Sequence, residues 1–99
     1  MPKADSASRD AFLSQHTHWQ LASDRDAITR SFQFKDFSEA FAFMTRVALV
    51  AEKLDHHPDW SNSYNTVAVT LSTHSAGGVT ALDIEMAKAM EAFANRRSI

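Results

Sequence analysis

Three of the five histidines fall in one region of the sequence, together with two carboxylates. His56 and His57 are adjacent, His74 lies further along the chain, and Glu52 and Asp83 complete the group. Imidazole changes its protonation between about pH 5 and 8, so several histidines beside carboxylates can protonate one substrate atom and deprotonate another. The sequence therefore predicts general acid–base chemistry, sufficient for a dehydration and requiring no cofactor.

A metal site is the main chemical alternative for the same residues. Three imidazoles could hold a catalytic zinc ion with one open coordination position. The spacing disfavours this, because adjacent His56 and His57 tend to point apart, whereas the usual two-histidine devices place ligands at i and i+4 on one helix face. The sequence therefore predicts no metal ligands.

Purely structural explanations stay open for several of these side chains. Asp83 could serve only as the capping partner of Thr80, three residues earlier. Glu52 could pair with a cation in solvent. His16 and His18 have no placed partners and are assigned no role.

The first third of the chain is predicted to hold a helix and a hairpin. Asp5 and Ser6 are candidate N-caps for a short helix that continues to about Gln15. Apolar and polar residues then alternate over 28–35, which is typical of a half-buried strand. A shorter strand over 19–21 is predicted to pair with it.

A second hairpin and a final helix are predicted beyond Pro58. Apolar and polar residues alternate up to Leu71, two glycines interrupt the chain, and Thr80 with Asp83 forms a capping box. The helix that follows is predicted to end near Asn95. Hairpins without parallel crossovers predict an α+β fold in the order α-β-β-α-β-β-α, with an antiparallel sheet carrying its helices on one face.

Between the hairpins lies the long helix that carries Glu52. Asp36 and Glu39 form a capping box, and a 3.6-residue apolar period continues to about Leu54. The stripe predicted to face the sheet is Phe41, Met44, Val47, Ala48 and Ala51. Three further apolar residues are predicted to point elsewhere: Phe43, Leu49 and Val50. Since a sheet covers one face only, we expect a second copy to cover the rest, giving a homo-oligomer whose association Phe43→Glu would disturb.

Composition limits the function classes further. The 99 residues are 44% hydrophobic and 22% charged, which suits a single globular domain over 1–99. A net charge of −2 disfavours direct binding of nucleic acid or of anionic membranes. The absence of cysteine excludes thiolate nucleophiles and cysteine-ligated metal centres. No signal peptide or membrane span is evident, so a cytoplasmic protein is expected.

The histidine region also carries a family resemblance. Along the chain, Glu52 is followed after three residues by His56-His57-Pro58, after five more by Tyr64, after nine more by His74 and after eight more by Asp83. This pattern resembles the signature of the pterin-4a-carbinolamine dehydratases, and the similarity extends over roughly 19–94. It implies a four-stranded antiparallel sheet with three helices on one side. It also implies dehydration of 4a-hydroxytetrahydrobiopterin to quinonoid dihydropterin, in the recycling of tetrahydrobiopterin.

The resemblance implies roles for individual residues. The catalytic set would be His56, His57, His74, Glu52 and Asp83. The pterin-binding set would be Asp55, His56, His57, Trp60, Ser72, Thr73, His74 and Ser75. Within these sets, His56 and His74 are the candidate proton donors, His57 would orient the pterin, and Glu52 would help fix the histidine tautomers.

Partners are implied by the same resemblance. The family forms dimers, or tetramers built as pairs of dimers, and its animal members also act as dimerisation cofactors of a homeodomain transcription factor. That binding role is the alternative function. Animal members commonly have Glu and Arg where this chain has Ser75 and Leu82, so the charges those residues supply around the substrate are missing here.

Overall fold

The computed structural model describes residues 2–4 and 6–95. In chain order the elements are α1 (Ser6–Gln15), β1 (Gln20–Leu21), β2 (Ile28–Gln33), α2 (Phe37–Leu54), β3 (Asp59–Ser63), β4 (Thr66–Leu71), a short 3-10 helix (His74–Ala76) and α3 (Ala81–Asn95). This order confirms the predicted α+β fold. The candidate cap Asp5 and the tail 96–99 lie outside the described residues. No helix within the described ranges is long and apolar enough to cross a membrane.

The four strands form one antiparallel sheet in the order β1-β2-β4-β3. Ile28 is opposite Leu71, and Phe32 is opposite Val67. These four side chains are buried, whereas their neighbours along the strands are exposed or half-buried. The period of two predicted for the strands is therefore confirmed, and the helices cover one face of the sheet.

The core lies between this face and the helices. Its larger buried side chains come from every helix, from β2 and β4, and from the loops beside them. They are Phe12, Trp19, Ile28, Phe32, Phe34, Phe43, Val47, Val67, Val69, Leu71, Val79, Met86 and Met90. The core thus fixes both the end of α2 and the start of α3, between which the candidate site lies.

Helix α2 buries Val47 and Ala51 of the predicted stripe, together with two residues outside it. The buried residues are Ala40, Phe43, Val47 and Ala51, whereas Phe41 is 54% exposed and Ala48 is exposed. The prediction that Phe43 points away from the core is therefore wrong. Its ring lies 4.8 Å from the ring of Phe32 and 4.9 Å from that of Phe34, centroid to centroid. The helix is apolar on most sides, so its period alone could not select the face that these two rings occupy.

The start of α2 follows the predicted capping scheme with one change. The Asp36 carboxylate accepts a hydrogen bond from the Glu39 amide at 2.9 Å. The Glu39 carboxylate accepts from the amide of Lys35 at 3.0 Å, one residue before the cap. The first turn of α2 is therefore capped from both directions.

Candidate active site

The end of α2 positions the two adjacent histidines. Asp55 has a left-handed backbone, with φ 50°, and its amide donates to the Glu52 carbonyl. The His56 amide donates to the Ala51 carbonyl at 3.0 Å. These two bonds form a Schellman motif, which reverses the chain direction and satisfies the last helix carbonyls. His56 is therefore fixed by its backbone as well as by its side chain.

His56 is paired with a buried carboxylate. Its Nε2 lies 2.5 Å from Asp83 Oδ1, and Asp83 is fully buried at 0% exposure. The His56 side chain is 10% exposed. Because Nε2 is occupied by Asp83, Nδ1 is the ring nitrogen left for a substrate.

The second oxygen of Asp83 binds two other segments. Asp83 Oδ2 accepts from Thr73 Oγ1 at 2.8 Å and from the Thr80 amide at 2.8 Å. The hydroxyls of Thr73 and Thr80 lie 2.7 Å apart. The hydrogen bond from the Thr80 amide to the Asp83 carboxylate is one of the two bonds of the predicted capping box. It lies at the N-terminus of α3, where negative charge is stabilised. Asp83 thus ties together the loop after α2, the segment after β4 and the start of α3.

His57 has a different environment. Its Nε2 lies 2.7 Å from Glu52 Oε2, and both side chains are exposed, at 57% and 78%. The predicted projection of Glu52 toward the adjacent histidines is confirmed, and its partner is His57. The two neighbouring imidazoles therefore have one carboxylate each, one in the protein interior and one in solvent.

His74 begins the 3-10 helix directly after Thr73. It is exposed, and its side chain makes no hydrogen bond or ion pair with another residue in the described part of the chain. It lines a concavity of about 370 Å³ together with Arg25, Asp26, Asp59, Ser72 and Gly77. His74 directly follows Thr73, whose hydroxyl donates to Asp83, and this is the connection between His74 and the His56–Asp83 pair. Neither His56 nor His57 lines the concavity around His74.

The remaining residues of the predicted binding set differ in exposure. Asp55 and Ser75 are exposed, and Trp60 is half-buried with its side chain packed against the core. The Ser72 hydroxyl donates to the Asp26 carbonyl oxygen at 3.0 Å. Thr73 is buried, and its hydroxyl is engaged by Thr80 and Asp83.

Three residues near His74 lie outside the site predicted from the sequence: Arg25, Asp26 and Asp59. Arg25 and Asp26 belong to the polar segment between β1 and β2, where charged residues are common and carry no distinctive spacing. Asp59 follows the His-His-Pro run directly, and only the pairing of β3 with β4 brings it beside Ser72. Their proximity to His74 depends on the tertiary fold.

The possible metal ligands of the site are dispersed. Among residues 2–4 and 6–95, no three His, Asp or Glu side chains are grouped so as to hold a metal ion. The carboxylates instead bind imidazoles, one for one. Imidazoles oriented by carboxylates are able to transfer protons.

The family model described as Pterin 4 alpha carbinolamine dehydratase matches residues 2–93. The chain belongs to this family. The family consists of hydro-lyases, and the dehydratase is therefore an enzyme that removes water from a pterin carbinolamine. The match spans nearly the whole chain, including every residue of the predicted site.

Relatives of this dehydratase agree with the family match. A protein from Mesorhizobium japonicum, provisionally named pterin-4-alpha-carbinolamine dehydratase, is 66% identical over 86 residues, covering 84% of this chain and 88% of its own. A protein of the same provisional name from Bradyrhizobium diazoefficiens is 70% identical over 76 residues, covering 77% of this chain and 76% of its own.

A solved structure is similar in fold as well as in sequence. It is a crystal structure of a transcriptional coactivator/pterin dehydratase from Brucella melitensis, with a TM-score of 0.89 and 55% identity. The superposition covers 93% of this chain and 98% of that one. The chain therefore shares the fold of that structure.

Proposed function

We propose that this dehydratase converts 4a-hydroxytetrahydrobiopterin to quinonoid dihydrobiopterin and water by histidine acid–base catalysis, as a cytoplasmic step in tetrahydrobiopterin recycling. The observation that carries the proposal is the buried His56–Asp83 pair. A buried carboxylate that accepts a hydrogen bond from one ring nitrogen of a histidine orients the imidazole. It also keeps the proton on that nitrogen, which leaves the other nitrogen facing the substrate.

The reaction requires two proton transfers and no change of oxidation state. A donor protonates the hydroxyl oxygen on C4a, and the C–O bond breaks as water leaves with the bonding electrons. The lone pair of N5 forms the new C4a–N5 double bond, and the N5 proton passes to an acceptor. Each well-placed acid or base accelerates such a step by about 10²–10⁴-fold.

His56 and His74 are the proposed donors. His56 is oriented by Asp83 and keeps Nδ1 for the substrate. While Nε2–H donates to Asp83, Nδ1 gives up a proton only from the doubly protonated ring, and in the neutral ring Nδ1 accepts one. His74 is exposed within a concavity, where its imidazole can reach a bound molecule. Which of the two serves the C4a oxygen is decided by the pose of the pterin.

His57 and Glu52 are proposed to bind and orient the pterin. Their pair is exposed, so its hydrogen bond fixes the His57 ring at the surface of the site. The pterin would contact the segments 55–57 and 72–75, with Trp60 at the edge of the pocket. The Thr73 hydroxyl is already engaged by Thr80 and Asp83, so we assign Thr73 to supporting Asp83 and not to binding the pterin.

The direct test is turnover of enzymatically generated 4a-hydroxytetrahydropterin with and without the protein. We expect dehydration well above the spontaneous rate, and the same rate after treatment with EDTA, because proton donors and acceptors suffice. Loss of activity on chelation, with recovery on addition of zinc, would require the histidines to be metal ligands. No acceleration at all would reject the proposed reaction.

We also propose a homo-oligomer, a dimer or tetramer, joined in part through α2. Phe37 and Phe41 are 49% and 54% exposed, and their rings contact each other at a centroid distance of 5.7 Å. Leu49 on the same helix is 70% exposed. Burying such apolar area against a second copy is favourable, and symmetric pairs are the commonest arrangement.

The alternative function is that of a dimerisation cofactor for a transcription factor. The name of the Brucella melitensis neighbour, which includes transcriptional coactivator, is the observation that keeps it in consideration. A pull-down with the dimerisation segment of a homeodomain factor separates the two. We expect no interaction if the chain is bacterial, and specific capture would favour the binding role.

A further inference from the structure

The turn that carries His74 is closed at its base by the backbone. The Thr73 amide donates to the Gly78 carbonyl at 2.8 Å, and the Gly78 amide donates back to Thr73 at 3.3 Å. The Gly77 amide donates to the carbonyl of His74 itself at 3.1 Å. Since the His74 side chain has no hydrogen-bonding partner among the described residues, its position depends on how this turn is held.

Asp26, in the loop before β2, contacts both residues that flank the turn. Its carbonyl oxygen accepts the Ser72 hydroxyl at 3.0 Å on one side. On the other side its carboxylate lies against Gly78, where an added Cβ would be 2.9 Å from Asp26 Cγ and closer still to Oδ2. Gly78 is therefore required for this close approach.

The Asp26 carboxylate is itself held by the N-terminal region. Arg9 donates to Asp26 Oδ1 at 3.2 Å, and Lys3 Nζ lies 3.4 Å from Oδ2. Burial acts to raise the pKa of Asp26, but the hydrogen bonds from Arg9 and Lys3 outweigh it, so the pKa lies below its usual range. The Ala4 amide also donates to the Val79 carbonyl at 2.7 Å, which joins the same region to the chain just after the turn.

We propose that Asp26 is a positioning residue for His74, supporting the turn 73–77 at its base. Thr73 binds Asp83 at one end of the turn, and Ser72 and Gly78 contact Asp26 at its base. The turn is thus tied to the Asp83 carboxylate through Thr73 and to the main chain of Asp26 through Ser72. The Asp26 side chain, which packs against Gly78, is bound by the N-terminal region. The inference rests on the proposed role of His74 in proton transfer.

The test uses the full chain with Asp26→Asn and Asp26→Ala, and with Asp24→Asn as a control for an exposed carboxylate in the same loop. We expect Asp26→Ala to lower kcat about 10- to 100-fold, because displacement of a reacting group by about 1 Å is costly, while KM changes less. Asp26→Asn, which keeps the side-chain shape, should lose less. In a His74→Ala background, Asp26→Ala should cause little further loss, since both act through one group.

A second pair of variants tests the contact with Gly78. Gly78→Ala should lower kcat in the wild-type background and lower it less when combined with Asp26→Ala, which removes the side chain that the new Cβ meets. Full additivity in both double variants would overturn the proposal. So would a rise in KM with unchanged kcat in Asp26→Ala.

A measurement independent of turnover separates this inference from the proposed function. In NMR spectra, Asp26→Ala should shift the ring proton signals of His74, whereas Asp24→Asn should leave them unchanged. Unchanged His74 signals in folded Asp26→Ala would reject the positioning role. Wild-type activity of His74→Ala, by contrast, would reject the proposed role of His74, while the NMR result would still decide whether Asp26 positions its ring.

Discussion

Asp83 combines a helix cap with a hydrogen bond to a candidate catalytic histidine. Asp83→Asn leaves one acceptor oxygen where two are used, so either His56 or the pair of Thr73 and the Thr80 amide loses its partner. We expect a loss of about 1–3 kcal/mol in the free energy of unfolding and a lower kcat per folded molecule. Urea unfolding measured beside turnover separates the two effects.

Thr73→Ser is the matched control for this prediction. It keeps the hydroxyl that Asp83 accepts and should therefore keep most of the activity, whereas Thr73→Val should resemble Asp83→Asn. Destabilised Asp83→Asn with full activity per folded molecule would leave Asp83 with the capping role alone.

At this scale, the sequence contains the members of the candidate site but not their pairing. The types and spacing of His56, His57, His74, Glu52 and Asp83 select them without a structure. That Glu52 binds His57 while Asp83 binds His56 depends on the left-handed turn at the end of α2 and on where α3 begins. Neither is determined by residue spacing.

At the scale of elements, α2 has two apolar sides with different roles. Phe43 packs on Phe32 and Phe34, so Phe43→Ala should lower the free energy of unfolding by about 3–5 kcal/mol. Phe41 is half-exposed in the chain, so Phe41→Ala should cost much less when unfolding is measured at a concentration that favours the monomer. Equal losses for the two variants would contradict the assignment of the buried stripe.

The elements themselves were predictable because each has a clear local signal. The alternation in β2 and β4, the cap at Asp36 and the glycines before α3 mark strands, starts and stops. The rotation of α2 was not predictable, since apolar residues surround the helix and several stripes fit its period. Contacts with two strand aromatics, distant in sequence, decide the orientation.

At the scale of the whole molecule, the exposed apolar side of α2 predicts self-association. Phe41→Glu places a charge on that side and should shift sedimentation toward the monomer, with little effect on the fold of each chain. Ser14→Glu adds the same charge at an exposed position of α1 and should not. A wild-type protein that sediments as a stable monomer at micromolar concentration would rule out the proposed assembly.

Acid stability of the whole chain should depend on Asp26. Its pKa in the folded protein is below the ordinary value of 3.8, because hydrogen bonds from Arg9 and Lys3 outweigh the opposing effect of burial. Its contribution to stability is therefore present above about pH 4 and is lost as the pH falls through the lowered value. Asp26→Asn should make the free energy of unfolding less dependent on pH below about pH 4. If the free energy of unfolding of Asp26→Asn depended on pH as steeply as that of the wild type, Asp26 would not contribute to acid stability.

The central claim is that oriented histidines carry out the dehydration, and steady-state kinetics of three single variants test it most directly. The variants are His56→Ala, His74→Ala and His57→Ala, assayed on 4a-hydroxytetrahydropterin with pterin binding measured in parallel. A proton donor acts mainly in the transition state, so the first two should lower kcat by about 10²–10⁴-fold with smaller changes in binding. His57→Ala should chiefly weaken binding. Wild-type kcat/KM in all three variants would contradict the account.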